Sequence, residues 1–209
     1  MGEATISGGF WTLARTVAFL GRRYGGRKAL PALLFFTDPV RTPDPEAIAR
    51  RLPRGTAVVY RAFGAPDAEA LGLRLRVVTR ERGLTLLIGA DAGLAARLGA
   101  DGVHLPERMA NRAQRLKASH PGWIVTAAAH STSAARRARA AGADAVVVST
   151  VFASRSASAR APMGALRLAI LIRRVGGPVY GLGGIDNKKA RLLKSTGLAG
   201  LAAVDAFRT

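Results

Sequence analysis

The stretch GLGGI at residues 181–185 has the residue types that most clearly indicate a chemical role. It follows an apolar run, and its adjacent glycines carry no Cβ that would keep a ligand away from the backbone. Backbone N–H groups in such a turn can donate hydrogen bonds to a phosphate. We therefore predict that Gly183 and Gly184 bind a phosphate group. The alternative is a turn that needs glycine for its geometry alone.

His130 and Ser131 follow a second run of small residues, at 124–129. An imidazole titrates near neutral pH, so a histidine at the end of a strand suits proton transfer. We predict His130 as an acid–base catalyst, with a histidine that only holds a loop as the alternative. Ser131 is predicted to cap the next helix and to belong to the substrate-binding set.

Two arginines are candidate ligands for an anion. Arg61 comes directly after an apolar run, and we expect its guanidinium to clamp a carboxylate or a phosphate of the ligand. Arg155 lies in a small, basic loop at 153–163 that could close over an anion as a lid, with a solvated loop as the alternative. No pair of carboxylates accompanies these residues, so the sequence predicts no metal site and no cofactor.

The net charge of +19, from 32 basic and 13 acidic residues, raises the local concentration of anions. Most arginines fall in helical stretches without interleaved aromatic residues, so we expect a small phosphorylated ligand and no specific nucleic acid. Self-association is left open. The chain has no cysteine, which excludes disulfides and zinc–thiolate sites. It also has no apolar run of about 18 residues and no cleavable leader, which predicts a cytoplasmic protein without membrane contact.

Three helix-like runs end at a glycine and turn directly into an apolar strand. The glycines are Gly99, Gly142 and Gly197, and each is expected at the positive φ that ends a helix. Repeated short connections of this kind indicate βα units around a parallel sheet. Such folds place their chemistry at the carboxyl ends of the strands, where the polar residues above are found.

Counting the β-rich runs gives eight strands that alternate with amphipathic helices. The predicted strands are 31–37, 57–62, 84–89, 102–105, 124–129, 145–151, 178–182 and 199–204. The predicted helices are 44–51, 66–82, 91–98, 109–118, 132–141, 164–174 and 187–195. This alternation, without a dinucleotide-binding glycine motif near the first strand, favours an α/β fold of the single (βα)8 TIM-barrel type over a doubly wound sheet.

Two departures from a regular barrel are expected. Residues 1–29 predict an extra basic, amphipathic helix before the barrel domain, which covers 30–209. Few residues follow the eighth strand, so the eighth helix is predicted to be truncated. If Val103 faces the helices, the next residue, His104, faces the barrel interior and needs a hydrogen-bond partner.

Six segments resemble, in order and spacing, the thiamin phosphate synthase superfamily. They are LLFFTD (33–38), GADGVHL (99–105), AAHS (128–131), GADAVVVSTVF (142–152), GLGGI (181–185) and GLAGLAAV (197–204). The resemblance implies a (βα)8 barrel of thiamine biosynthesis that binds a thiazole phosphate, with Val204 in its phosphate-binding set. The superfamily contains a Mg²⁺-dependent synthase, which joins the thiazole to an aminopyrimidine pyrophosphate, and a tautomerase, which only moves protons.

Some of the residues that the resemblance implies for the synthase are replaced by other residue types in this chain. Gly89 and Ala90 stand where the resemblance implies an Asn-Asp pair for magnesium and pyrophosphate, and Met109 stands where it implies an aspartate. Without these carboxylates, no metal ion is held where it could neutralise the negative charge of a departing pyrophosphate. A divergent synthase is the alternative, and it would need a shifted acidic pair such as Asp38 with Glu107.

The tautomerase branch of the resemblance fits more residues, because Pro106 and the His130-Ser131 pair are similar to it and the reaction needs no metal. We therefore expect a thiazole-phosphate barrel of tautomerase type with His130 as the acid–base residue. Asp205 stands where the resemblance implies a serine of the phosphate loop, and we expect its carboxylate to turn outward or to cap a neighbouring amide. A catalytically silent barrel that binds a phosphorylated ligand is the further alternative.

Overall fold

Eight short runs of buried, mostly apolar residues form the strands of the protein. The computed structural model describes residues 30–154, 156 and 160–207, so the predicted helix within 1–29 and the predicted lid residue Arg155 lie outside the described residues. The strands are β1 (Leu33–Phe36), β2 (Ala57–Tyr60), β3 (Thr85–Gly89), β4 (Gly102–Leu105), β5 (Ile124–Ala129), β6 (Ala145–Ser149), β7 (Val179–Leu182) and β8 (Gly200–Ala203). Every strand begins and ends within two residues of its predicted range.

The strands are all parallel and close into a barrel. Each strand pairs with its neighbour in chain order, and β1 also pairs with β8, where Leu33 lies opposite Leu201 and Phe35 lies opposite Ala203. This closure confirms the predicted (βα)8 barrel over the doubly wound sheet. The carboxyl ends of all eight strands therefore lie at one end of the barrel, which we call the mouth.

Seven α-helices in the described residues cover the outside of the barrel. They are α1 (Pro45–Arg51), α2 (Ala68–Arg82), α3 (Ala92–Arg97), α4 (Ala113–Ser119), α5 (Thr132–Ala140), α6 (Gly164–Val175) and α7 (Asn187–Leu192). The side chain of Ser131 accepts a hydrogen bond from the Ala134 N–H (3.1 Å), so its predicted role as the cap of α5 is confirmed. None of the helices in this part of the chain has the length and apolar character that a membrane crossing requires.

The predicted helix over 109–118 is wrong in its first part. A 3-10 helix, Glu107–Arg112, precedes α4, and the Met109 N–H donates to the Pro106 carbonyl (2.8 Å) three residues back. Because Pro106 cannot continue the ladder of β4, the chain leaves the strand in a tight turn before α4 begins. After β8 the last described element is a single 3-10 turn, Asp205–Phe207, in agreement with the truncated eighth helix.

The three predicted helix-ending glycines all have positive φ. The values are +56° at Gly99, +92° at Gly142 and +87° at Gly197, which confirms their predicted conformation. The predicted helix over 187–195 is too long, however, because α7 ends at Leu192, five residues before Gly197. Two residues beyond Gly99, the Asp101 carboxylate accepts the Leu86 N–H (2.7 Å) at the start of β3. Asp101 therefore stabilises the amino-terminal end of the barrel, away from the mouth.

The barrel interior and the space between barrel and helices form two apolar layers. Phe36 belongs to the interior layer and Val103 to the outer layer, so His104 points inward. Its Nδ1 lies 2.9 Å from Thr126 Oγ1, and its ring packs edge-on against Phe36, which confirms its predicted orientation and need for a partner. Burial, together with the nearby charge of Arg61, lowers the pKa of His104 to about 3. His104 is therefore neutral at physiological pH.

Replacing Gly99 and Gly102 with alanine tests the turn that leads into β4. A Cβ at Gly102 would press into the carbonyl group of Ile124 in β5, whereas a Cβ at Gly99 would meet only the tip of Arg80, at 3.7 Å. We expect Gly99→Ala to lower the free energy of unfolding by about 1 kcal/mol, from backbone strain alone. We expect Gly102→Ala to lower it by about 3 kcal/mol. Urea unfolding followed by circular dichroism measures both, and equal losses would contradict the close approach of β4 to β5.

Candidate functional site

A cavity of about 390 Å³ opens at the mouth, among the loops that follow β1, β2, β6, β7 and β8. Its volume falls within the range of small-molecule sites, about 300–1,000 Å³. Four residues of the predicted site line it, namely Arg61, Gly183, Gly184 and Val204. They follow three different strands, and only the closed barrel brings them to one cavity.

The glycine pair has a steric reason to be glycine that involves no ligand. Gly183 and Gly184 have φ values of +101° and +62°. A Cβ at Gly183 would lie 2.9 Å from Thr150 Cγ2, and a Cβ at Gly184 would overlap the carbonyl groups of Phe152 and Ala153. The loop after β7 is thus packed against the loop after β6, and this geometry alone accounts for both glycines. Both also form part of the cavity wall.

Arg61 is held at the mouth by residues that follow or end β1 and β2. Its Nε donates to the Thr37 carbonyl (2.7 Å), and its second terminal nitrogen lies 3.4 Å from Asp38 Oδ2. The guanidinium lies 5.6 Å from the ring centre of Phe36 and 5.0 Å from that of Phe63. Burial lowers the pKa of Arg61 and Asp38 opposes this effect, but the group keeps its charge at neutral pH. A fixed, half-buried guanidinium of this kind is suited to binding an anion.

Arg41, in the loop after β1, connects two carboxylates across the seam between β1 and β8. One terminal nitrogen lies 3.0 Å from Asp205 Oδ2, and its Nε lies 3.4 Å from Asp38 Oδ2. The Asp38 carboxylate also accepts the backbone N–H groups of Val40 (3.1 Å) and Arg41 (2.9 Å). Burial alone would raise the pKa of Asp38, but these donors and the Arg41 and Arg61 charges outweigh burial and lower the pKa. Asp38 is therefore a fixed anion between two arginines.

The expectation that Asp205 turns outward or caps an amide is wrong. Asp205 lines the cavity, and its carboxylate pairs with Arg41. Sequence reasoning missed Arg41 because it considered each strand end separately. The available signal was the adjacency of the first and last strands in a closed barrel, which brings the loop after β1 beside the residues after β8.

His130 lies one residue behind the cavity wall. Its Nδ1 is 3.1 Å from both the carbonyl oxygen and Oγ of Ser149, and Ser149 lines the cavity. The backbone N–H of His130 donates to Glu107 Oε2 (2.8 Å), which fixes the start of the loop after β5. Ser131, as the cap of α5, is not among the described residues that line the cavity. The structure therefore places His130 beside the cavity through Ser149, and it places Ser131, which was predicted to bind substrate, further away.

Lys189 is a second cation of the cavity that sequence reasoning did not single out. Its ammonium lies 3.2 Å from Asp186 Oδ2 and 6.0 Å from the ring centre of Phe152. Both Lys189 and Asp186 line the cavity. The pattern that could have found Lys189 is its position three residues after Asp186, where a helix brings the two side chains together.

The positions that the resemblance assigns to magnesium do not offer oxygen ligands from side chains. Ala90 has φ +65° and donates its N–H to the His104 carbonyl (2.9 Å), and Met109 packs against the outer apolar layer. The suggested substitutes are also engaged, since Asp38 pairs with arginines and Glu107 holds the His130 N–H. Within the described ranges, no three histidine, cysteine or acidic side chains come together as a metal-binding group. These residues do not fit a divalent cation, which prefers several carboxylate oxygens.

Comparison with known proteins assigns the chain to a family. A family model described as thiamine monophosphate synthase matches residues 33–207, which include all eight strands. A relative from Aquifex aeolicus, named "Putative thiamine-phosphate synthase 2", is 32% identical over 183 residues, and the match covers 85% of this chain and 98% of the relative. Thiamine-phosphate synthase from Pyrococcus furiosus is 31% identical over 178 residues, with 83% of this chain and 85% of the relative covered.

A solved structure shows the same architecture. Thiamine phosphate pyrophosphorylase from Pyrococcus furiosus superposes with a TM-score of 0.72 at 29% identity, over 83% of this chain and 85% of that chain. The names of these proteins fit the synthase alternative better than the tautomerase-like hypothesis. Because the family match extends from β1 to the turn after β8, the chain belongs to the thiamine monophosphate synthase family.

Proposed function

We propose that this protein binds a thiazole phosphate in the cavity at the mouth and joins it to a pyrimidine pyrophosphate, as a divergent thiamine-phosphate synthase. The observation that carries the proposal is the cavity itself, which Arg61 and the residues after β7 and β8 line together. In this proposal the backbone of Gly183, Gly184 and Val204 binds the phosphate of the thiazole. The names of the relatives support the choice of reaction.

The reaction transfers the methylene carbon of the pyrimidine from pyrophosphate to the thiazole nitrogen. The thiazole nitrogen attacks the methylene carbon beside the pyrimidine ring, the carbon–oxygen bond breaks, and its electron pair departs with pyrophosphate. Negative charge therefore accumulates on the leaving group, and cations placed before the reaction stabilise that charge best. Arg61 is such a cation, because the Thr37 carbonyl and Asp38 fix its guanidinium beside the cavity. Arg41 and Lys189 supply two further positive charges to the same cavity.

Tautomerisation of a thiazole phosphate is the second candidate function, and the position of His130 favours it. His130 Nδ1 lies 3.1 Å from both the carbonyl oxygen and the hydroxyl of Ser149, so it can donate to the carbonyl or accept from the hydroxyl. When Nδ1 carries the proton and donates to the carbonyl, the lone pair resides on Nε2, which is the nitrogen that would remove a proton from a ligand. Ser131 and Arg155 stay predictions as substrate-binding residues in either reaction.

The catalytically silent barrel is the third candidate, and it shares the phosphate site without either reaction. The synthase and tautomerase assays described below distinguish this candidate, because a silent barrel binds a thiazole phosphate and forms neither product. A cytoplasmic location and self-association stay predictions from the sequence.

The synthase reaction is tested with purified protein, both substrates and Mg²⁺, by measuring thiamine phosphate. We expect product to form and Arg61→Gln to lower kcat/KM by about 10²-fold, because the leaving group loses a fixed charge. Arg50→Gln is the matched control, since Arg50 pairs with Glu81 (3.3 Å) on the exposed helix surface. Absence of product, or equal rates for the two variants, would contradict the proposal.

A chelator tests how the charge of pyrophosphate is handled. Since Gly89, Ala90 and Met109 offer no carboxylate, we expect excess chelator to change the synthase rate by less than about tenfold. Abolition of the rate by the chelator, with recovery on adding back Mg²⁺, would show that other acidic residues hold a metal. The proposal that Arg61 stabilises the departing pyrophosphate would then be wrong.

Replacing His130 distinguishes the two reactions. We expect His130→Asn to lower thiazole tautomerisation, followed by absorbance of the aromatic product, by about 10²-fold or more, the usual loss on removing an acid–base group. Synthase turnover should fall by less than about tenfold, because no step of that reaction uses the imidazole. His120→Asn is the control, since His120 stacks on Trp123 (3.7 Å between ring centres) before β5, at the opposite end of the barrel. A synthase rate that falls as far as the tautomerase rate would contradict these separate roles.

A further inference from the structure

A carboxylate in the cavity wall conflicts with the binding of a phosphate there. Asp205 lines the same cavity as Gly183 and Gly184. Two negative groups a few ångströms apart repel each other, and the repulsion grows as solvent is excluded from between them. A site that binds phosphate therefore needs either a permanent neutralising partner for Asp205 or a way to move its carboxylate.

Asp205 is held at only one of its two oxygens. Its Oδ2 accepts a hydrogen bond from Arg41 (3.0 Å), whereas its buried Oδ1 has no hydrogen-bond partner among the described residues. A buried acceptor without a donor has lost its water without replacement, so this position does not fully satisfy the carboxylate. The Asp205 side chain is also 39% exposed, which leaves it a path toward solvent.

Arg41 is fixed independently of Asp205. Its Nε and one terminal nitrogen each lie 3.4 Å from Asp38 Oδ2. Asp38 is in turn held by the backbone N–H groups of Val40 and Arg41, and its side chain is only 20% exposed. If Asp205 leaves, Arg41 therefore keeps one counter-ion and its place in the cavity wall. The terminal nitrogen that paired with Asp205 becomes available to another anion.

We infer that Asp205 is an internal anion that occupies Arg41 in the free protein, and that the phosphate of the ligand exchanges with it. Arg41 is then a phosphate-binding residue that no feature of the sequence had singled out. The inference rests on the proposed function for the identity of the phosphate ester, but any phosphate monoester has the required chemistry. A doubly charged phosphate displaces the carboxylate because it offers more charge and more acceptor oxygens to the guanidinium. Singly charged carboxylate ligands gain no such advantage.

The test is titration calorimetry with inorganic phosphate on four proteins. These are the wild type, Asp205→Ser, Arg41→Gln and the double variant. We expect Asp205→Ser to tighten phosphate binding by about tenfold, because the internal competitor is gone. In that same Asp205→Ser background, Arg41→Gln should weaken binding by at least about tenfold, because Arg41 contacts the phosphate directly.

The second comparison is decisive. If Arg41 only neutralises Asp205, removing Arg41 has little effect once Asp205 is serine, and the double variant binds phosphate as tightly as Asp205→Ser. That result would overturn the inference. Arg97→Gln is the charge-matched control, since Arg97 pairs with Glu69 (2.9 Å) on the exposed helix surface, and it should change phosphate affinity by less than about twofold. Asp205→Asn replaces Asp205→Ser if the serine variant melts at a lower temperature than the wild type.

The inference and the proposed function fail in different experiments. Synthase turnover measured on the same four proteins reports on the proposed function, whereas phosphate affinity reports on the exchange. Turnover with no dependence of phosphate binding on Arg41 would refute only the exchange. Arg41-dependent phosphate binding without turnover or tautomerisation would refute only the proposed function.

Discussion

The pairing of β1 with β8 is the contact on which the rest of the structure depends. It closes eight parallel strands into a barrel and brings the first and last loops of the fold together. Without it, the loop that carries Arg41 would not lie beside Asp205, and the cavity would lose one wall. The tight connections support this closure, because Gly102 allows the backbones of β4 and β5 to meet and the Asp101 carboxylate binds the start of β3.

The charges at the mouth are arranged in pairs, although the chain as a whole carries a charge of +19. Arg61 and Arg41 share Asp38, Arg41 also holds Asp205, and Lys189 holds Asp186. Such pairs fix long side chains in one orientation, and the surrounding positive field still favours an incoming anion. An anionic substrate then competes with carboxylates of the protein for the same cations. The mouth is thus organised by arginine and lysine, whereas the positions at which the family resemblance implies a metal, Gly89, Ala90 and Met109, offer no side-chain carboxylate.

Much of the fold could be predicted from the sequence because its signals are local. Gly99 and Gly142 end helices in a conformation that few other residues adopt, and Gly197 has the same conformation five residues after the end of α7. Apolar runs bounded by such turns mark the strands. The 3-10 turn after Pro106 was missed because apolar periodicity does not distinguish it from the start of a helix. Among the residues that line the cavity, Arg61, Gly183 and Gly184 were predicted from their positions at strand ends, and Val204 was predicted from the family resemblance. Contacts between distant loops could not be read in this way: Arg41 and Asp205 are 164 positions apart, and their pairing depends on the exact register of the closed barrel.

We propose that the cavity between the loops after β7 and β8 and the arginines of the β1 and β2 loops binds the phosphate of the ligand. A crystal structure of the protein with a thiazole phosphate is the decisive test. We expect the phosphate oxygens within hydrogen-bonding distance of the backbone at Gly183, Gly184 or Val204, with the thiazole ring directed toward Arg61. A phosphate bound outside the cavity, with Gly183, Gly184 and Arg61 all free of ligand contact, would contradict it.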